Sequence, residues 1–257
     1  MLLFSIPVHE KPEVILNQVD NFLHYNPESS IVLHVSKSMG NSDYNKLLAY
    51  IKNKKDVYTN PTRLYSGWAD GSIAKIHLNN MEFAIKKGIH FTHFCLHASN
   101  DMFVKAGLKE WISNCDSGYD QISVGNTNPV YQQIDHFKKD IHSRIIAKRY
   151  HLKRILVSQI EGTFYTYDLV KQIVNRVNSD KYPELWPFYN IGFHPKKNWR
   201  YWPFRFVEVL LRRLNLPIKI TPFCKEEVLF PTITGDLVQQ PKPYNYCYIN
   251  WNNNLDI

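Results

Sequence analysis

The chain has 257 residues, 44% hydrophobic and 21% charged, a soluble globular composition that suffices for one large α/β domain. A formal net charge of +8 and a pI near 9.1 point to an anionic partner: nucleotide phosphates, nucleic acid or an anionic lipid surface. Four widely spaced cysteines, Cys95, Cys115, Cys224 and Cys247, form no CxxC pair and no zinc-ligand spacing, so reduced thiols and a cytoplasmic location are expected. The first residues, MLLFSIPVHE, carry no basic region, and their apolar run is too short for a signal peptide or a membrane span.

Residues 2–8 form an apolar run that reads as a first, central strand. Lys11-Pro12-Glu13 opens a helix, because proline suits a first turn; Val14, Ile15, Val19, Phe22 and Leu23 share its inner face, and Asn26-Pro27 stops it. A second buried strand spans 31–35 and ends in Ser36-Lys37-Ser38. A helix over 42–52 turns Leu47, Leu48 and Ile51 inward. A short strand lies within 57–65, broken by Asn60-Pro61. Asp70-Gly71-Ser72 then precedes a helix that runs to Lys87 and ends at Gly88. The stretch FTHFCLHASND, residues 91–101, reads as a buried strand over 91–96 running into a polar elbow, His97-Ala98-Ser99-Asn100-Asp101.

This alternation predicts an α/β fold: a mixed, mostly parallel sheet with helices on both faces. A polar elbow at the carboxyl end of such a strand can reach a ligand. Equally, Asn100 and Asp101 can cap a following helix that begins with Met102, Phe103 and Val104. No GxGxxG follows the first strand and no GxxxxGK[ST] occurs, which argues against a dinucleotide oxidoreductase and a P-loop enzyme.

The second half is less regular. It predicts helices over 104–115, 133–153 and 168–177, the last capped by Thr166 or Asp168, with a strand over 119–124 and an extended stretch over 158–166. An aromatic and proline-rich loop over 182–203 leads to a basic amphipathic helix over 204–214. Lys225-Glu226-Glu227 enters another helix from 222–229, and the tail over 244–251 alternates like a strand. The whole chain reads as a single domain, 1–257, with a nucleotide-binding half (1–125) and an acceptor and catalytic-base half (126–257).

His90, His93 and His97 bracket one strand at separations that do not place all three on one face, which argues against a triple-histidine metal site. The first half also lacks the Asp-x-Asp that would hold a metal on a sugar nucleotide's diphosphate. Glu226-Glu227 is the best pair for general-base work, since adjacent acids raise each other's pKa. The competing reading is that both are first-turn acids favoured by the helix dipole.

Four segments carry a resemblance. They are Pro7-Val8-His9-Glu10-Lys11; Tyr65-Ser66-Gly67-Trp68; Phe94 to Asp101; and Lys225-Glu226-Glu227-Val228-Leu229-Phe230-Pro231-Thr232-Ile233, with Tyr248-Ile249-Asn250-Trp251 closing the series. In this order they resemble the core-2/I-branching β-1,6-N-acetylglucosaminyltransferase family, which also includes the peptide O-xylosyltransferases. The resemblance implies a GT-A-like fold and an inverting, metal-independent transfer from a UDP-sugar, with N-acetylglucosamine the family's commonest donor sugar. It puts the catalytic base on Glu227, uridine contacts on His9 and Tyr65 with Val8 beside them, and Asn100 and Asp101 near the donor sugar. No cofactor is implied. The chain departs from the pattern at Ser36, where the family has an acid, and at Cys247, where it has an arginine. The segment bearing the family's phosphate-binding lysine would lie beyond Ile257. Lys37, Arg63 and Lys75 are the candidate phosphate contacts in its place.

The acceptor expected is a glycan or lipid-linked glycan of lipopolysaccharide, capsule or other surface-polysaccharide synthesis. The Lys, Asn, Ile and Tyr content suggests a bacterial source. The stretch KKNWRYWPFRFVEVLLRR, with Trp199, Arg200, Trp202, Arg205, Arg212 and Arg213, has the composition of a segment resting on an anionic membrane, which places the protein peripherally on the inner face of the cell membrane. A solvated basic helix over an aromatic core is the alternative. Two other functions fit the same sequence: a catalytically impaired glycan-binding relative, and a basic nucleic-acid-binding protein, the second leaving the strand–helix order and the glutamate pair unexplained.

Overall fold

The computed structural model describes residues 1–67, 71–118, 135–138, 141–152, 155–179, 224–235, 237–242 and 245–247. In chain order the elements are β1 (Leu2–Val8), α1 (Pro12–Tyr25), β2 (Ser30–Val35), α2 (Asn41–Ile51), β3 (Val57–Thr59), α3 (Ser72–Lys87), β4 (His93–Leu96) and α4 (Leu108–Ile112). They continue with β5 (Ser117–Gly118), α5 (Ile141–Arg149), β6 (Phe164–Thr166), α6 (Tyr167–Asn178), α7 (Lys225–Thr234) and β7 (Pro241–Lys242).

The strands form one sheet in the order β3-β2-β1-β4-β6-β5-β7. Its β3-β2-β1-β4 part is parallel, while β6 runs antiparallel to both β4 and β5, and β5 pairs parallel with β7. The expected mixed, mostly parallel α/β sheet is what forms, with β1 an interior strand between β2 and β4. Strand order steps outward from β1 to β2 to β3 and then reverses to β4 on the other side of β1. The carboxyl ends of β1 and β4 therefore flank a topological switch point, the place where open α/β sheets bind their ligands.

Alternation along β1 sorts the core into two layers. Leu2, Phe4, Ile6 and Val8 face a cluster with Ile15, Val19 and Phe22 of α1, Leu47 and Ile51 of α2 and Ile112 of α4. Leu3 faces the other layer, with Ala74, Leu78 and Met81 of α3, Ile173 of α6 and Leu229, Phe230 and Ile233 of α7. On α1, Val14 is exposed and Gln18 takes the buried place instead.

Several sequence expectations need correction. Residues 102–106 are not helical, so Asn100 and Asp101 cap no helix there; the helix expected over 104–115 shrinks to α4, preceded by Gly107 at φ 100°. The stretch expected to be extended from 158 turns at Ile160–Gly162, with Gly162 at φ 81°, and becomes a strand only at Phe164. In the expected 133–153 helix, residues 135–138 and 141–149 are helical, while His151 adopts φ 51° and ends it. Thr166 sits at the N-cap of α6 but makes no side-chain cap bond. The expected strand over 119–124 lies outside the described residues, as do the 182–203 loop and the 204–214 helix. Residues 245–247, the described part of the tail, form no strand.

Ser5 carries the one polar side chain that β1 points at α3. Its Oγ lies 2.8 Å from His77 Nδ1 and accepts from Asn80 Nδ2 at 2.9 Å, and Asn60 Nδ2 donates to Asn80 Oδ1 at 2.9 Å. His34, on β2, accepts the Leu64 N–H at Nε2. Burial pushes His77 down to about 3 and His34 down to about 4, and lowers His93 as well. Their folded pKa values lie below the unfolded one, so the stability they give is present above pH 6.5 and drains away as pH falls toward 4. The loss is about 1.4 kcal/mol per pH unit for each fully shifted group. Thermal melts from pH 7 to 4 are expected to show a steep fall in Tm, flattened in His77→Gln; a flat wild-type profile would contradict the burial of these rings.

Candidate functional site

Several loops meet at the carboxyl ends of β1 and β4. The elbow after β4 is held by α1. Gln18, 1% exposed, donates from Nε2 to the carbonyls of Ala98 (2.8 Å) and Asp101 (3.0 Å). One turn on, Asn21 donates to the Phe103 carbonyl at 3.0 Å and accepts the Phe103 N–H at 2.7 Å. Gln18 is buried on an otherwise apolar face because it satisfies backbone that forms no helix of its own. Gln18→Leu keeps the volume and strands two carbonyls. It is expected to cost about 1–3 kcal/mol in urea unfolding; an unchanged midpoint would contradict this brace.

Within the elbow, Asp101 turns back on its own loop. Its Oδ2 accepts the Ala98 N–H at 2.9 Å and lies 2.9 Å from His97 Nδ1. His97 is 2% exposed, boxed by the rings of Phe4, Phe22, Phe103 and Tyr246, and its Nε2 lies 2.6 Å from the Tyr246 hydroxyl. Asn100 is exposed at the tip. Ser99 hydrogen-bonds Glu10, whose carboxylate also takes the His9 N–H at 3.0 Å and pairs with His9 Nε2 at 3.3 Å. The turns after β1 and β4 are thereby tied together across the switch point, with the His9 ring turned to solvent.

On the β2 side, Val8 is buried and its carbonyl takes the Ser36 N–H at 2.8 Å. Ser36 Oγ accepts from the Ser66 N–H at 3.3 Å, while Lys37 N–H donates to the Leu64 carbonyl at 2.8 Å. Tyr65 is thus laid beside the β2 turn, with Lys37 Nζ 5.8 Å from its ring. Arg63 stacks on Tyr44, and its Nη2 donates to the carbonyls of Ser36 and Met39 at 2.8 Å each, so its guanidinium braces this turn. Lys75 lies on α3, its pKa lowered by burial against the opposing influence of Glu82.

The other wall is α7. Pro231 lies inside this helix and has no N–H to give the carbonyl of Glu227, four residues back. That carbonyl accepts the Ser158 N–H at 2.8 Å instead. Thr232 Oγ1 adds two 3.0 Å bonds to the backbone of Leu156. The 155–162 segment is so pinned along α7, and its turn carries Glu161 to the end of β4, where Gly162 N–H meets the Leu96 carbonyl at 2.9 Å.

Burial, then the neighbouring Glu226 and Glu161, pushes Glu227 up to about 8. Glu161 is itself raised, by burial first and also by Asp101. Glu226 and Glu227 do stand in the first turn of α7, as first-turn acids would, yet Glu226 is only 6% exposed and Glu227 is partly buried. The fold therefore gathers Asp101, Glu161 and Glu227 into one electrostatic neighbourhood. A carboxyl with a pKa near 8 is a stronger base than an ordinary glutamate, and takes a proton from a hydroxyl once it is ionised as pH rises toward 8.

No known family profile matches the chain, and no curated protein does. Remote likenesses to solved structures exist. S. aureus TarS 1-349 in complex with UDP is 12% identical at a TM-score of 0.39, over 72% of this chain and 53% of that one. The mannosyltransferase PcManGT from Pyrobaculum calidifontis, in complex with GDP-Man and Mn2+, is 7% identical at 0.38, over 67% and 46%. A nucleoside-diphosphate-sugar pyrophosphorylase from Vibrio cholerae RC9 is 9% identical at 0.38, over 72% and 81%. The chain spans about half the length of the TarS 1-349 and PcManGT structures.

Glu161, Tyr246, Gln18 and Glu10 are parts of this site that the sequence did not single out as site residues. Glu161 had one signal, its glycine neighbour in a stretch read as extended. Trp199, Arg200, Trp202, Arg205, Arg212 and Arg213 lie outside the described residues. No helix among the described residues is long and apolar enough to cross a membrane.

Proposed function

We propose that the protein is an inverting glycosyltransferase that moves a sugar, N-acetylglucosamine in the favoured case, from a UDP-sugar to a hydroxyl of a glycan acceptor. The observation that supports it most is Glu161, which feels Asp101 of the elbow after β4 and itself raises Glu227 of α7, the two candidate site acids coming from segments whose order resembles the transferase family. The nucleotide lies along the β1 and β2 turns, against Val8, His9 and Tyr65, with Lys37 toward its phosphates. Asn100 and Asp101 face the donor sugar. The acceptor oxygen attacks the anomeric carbon, its proton passes to the Glu227 carboxylate, and the bond from that carbon to the diphosphate oxygen breaks with its electron pair leaving on UDP.

The acceptor is a lipid-linked or surface-polysaccharide glycan, brought to the protein at an anionic membrane by the basic, tryptophan-bearing stretch around Trp199 and Arg212. Release of nucleoside diphosphate from a panel of UDP-, GDP-, CMP- and TDP-linked sugars tests the reading, with glycan acceptors added. UDP release that an acceptor accelerates is expected. Binding without turnover of any donor would favour the glycan-binding alternative.

A further inference from the structure

We infer that His97, Asp101 and Cys247 form a binding site for one divalent transition-metal ion of the zinc or cobalt type, at the elbow after β4. The ligand atoms of the three residues lie within 4.8 Å of one another. In a tetrahedral zinc centre, metal–ligand bonds of about 2.0–2.3 Å set ligand atoms roughly 3.3–3.8 Å apart. Small side-chain rotations close this set around an ion. One nitrogen, one carboxylate oxygen and one sulfur make a borderline-soft donor set that suits zinc or cobalt and not magnesium or calcium. Three protein ligands leave a fourth position for water or a substrate oxygen.

The surroundings support this site in a way that a chance cluster lacks. His97 Nδ1 faces Asp101 and its Nε2 faces the Tyr246 hydroxyl. A metal-bound imidazole needs its second nitrogen to donate to a fixed acceptor, which orients the ring. The Tyr246 oxygen is in place for that. Without metal, Nδ1–H donates to Asp101 and the tyrosine hydroxyl donates to Nε2. With metal, the ion replaces the Nδ1 proton and Nε2–H donates to the tyrosine oxygen.

Cys247 reaches the site on a segment tied down by three bonds. Tyr246 N–H donates to the Gly162 carbonyl at 3.3 Å, Asn245 Nδ2 donates to the Glu161 carbonyl at 3.1 Å, and the tyrosine hydroxyl meets His97. The Cys247 thiol stands within 4.8 Å of the Asp101 carboxylate, whose charge a divalent ion would neutralise. Binding displaces one proton, that of the thiol, to solvent; the imidazole stays neutral, its single proton now on Nε2 in place of Nδ1, and no oxidation state changes. The site runs against the metal-free mechanism implied by the family resemblance, and its occupancy is measured without any sugar nucleotide.

The test is a cobalt(II) titration of chelator-treated full-length protein. One equivalent is expected to give visible bands of tetrahedral cobalt and a near-ultraviolet thiolate-to-cobalt band. Cys247→Ser should abolish the thiolate band and weaken binding at least tenfold, while Cys115→Ser leaves both unchanged. Tyr246→Phe should weaken binding about tenfold with the thiolate band retained. Absence of the thiolate band in the wild-type protein, or its persistence in Cys247→Ser, would overturn the proposal. Asp101→Asn gives a second reading: cobalt binding that it leaves untouched would also overturn it.

Discussion

Glu227→Gln is expected to lower sugar transfer by about a hundredfold to ten-thousandfold, the usual contribution of a general base, with the fold intact. The pH profile carries the sharper signature. The acting form is the carboxylate, and Glu227 is pushed up to about 8, chiefly by burial. Wild-type kcat/KM should therefore rise with pH and level off above about 8. The same shift has the opposite effect on stability. A raised folded pKa gives stability that is present below the unfolded value of 4.5 and is lost as pH climbs to 8. The loss approaches about 1.4 kcal/mol per pH unit. Glutamine does not titrate, so Glu227→Gln should be no less stable than wild type at pH 5 and clearly more stable at pH 8. Rate profiles and urea midpoints at the two pH values check both halves. A variant as active as wild type would remove Glu227 from the mechanism, and one that gains no stability with pH would remove the carboxyl cluster from its surroundings.

Gly162→Ala is the second large effect. Gly162 holds φ 81°, a conformation that costs a non-glycine residue about 1–3 kcal/mol. A Cβ there would also stand 2.5 Å from the Cys247 nitrogen and 2.8 Å from its Cβ. The first of these is backbone, so the 245–247 segment would have to move. A loss of about 2 kcal/mol or more in urea unfolding is expected. Loss of the Tyr246–His97 contact should accompany it, read as a changed tyrosine fluorescence. Wild-type stability in Gly162→Ala would mean that Tyr246 and Cys247 do not close over the elbow.

The order of strands and helices as far as β4 was legible in the sequence because each carries a strong local signal. Pro12 opens α1, Gly88 ends α3 in the left-handed conformation, and β1 and β2 are continuous apolar runs buried on both faces. Glu227 and Asp101 were legible as candidates, but their link through Glu161 was not, since it depends on Pro231 freeing a carbonyl for Ser158 and on a turn at Gly162. The helix expected after Asp101 failed for a similar reason. Helical pattern in Met102 to Val104 lost to Gln18 and Asn21, which bind that stretch's backbone from another element and keep it out of a helix. Glu161 stayed hidden because a lone acid in a turn has no sequence signature until the fold sets it beside two others.

The most direct test of a nucleotide-sugar site is a thermal titration of the full chain with UDP, GDP, CMP and TDP, repeated for His9→Ala and Asp101→Asn. A ligand that binds the native state alone raises Tm by mass action. A UDP-selective rise is expected in wild type, one that His9→Ala reduces, because the turn after β1 carries the uridine contact, and that Asp101→Asn leaves largely in place, because Asp101 faces the sugar. No rise with any nucleotide, or a rise indifferent to both substitutions, would contradict it.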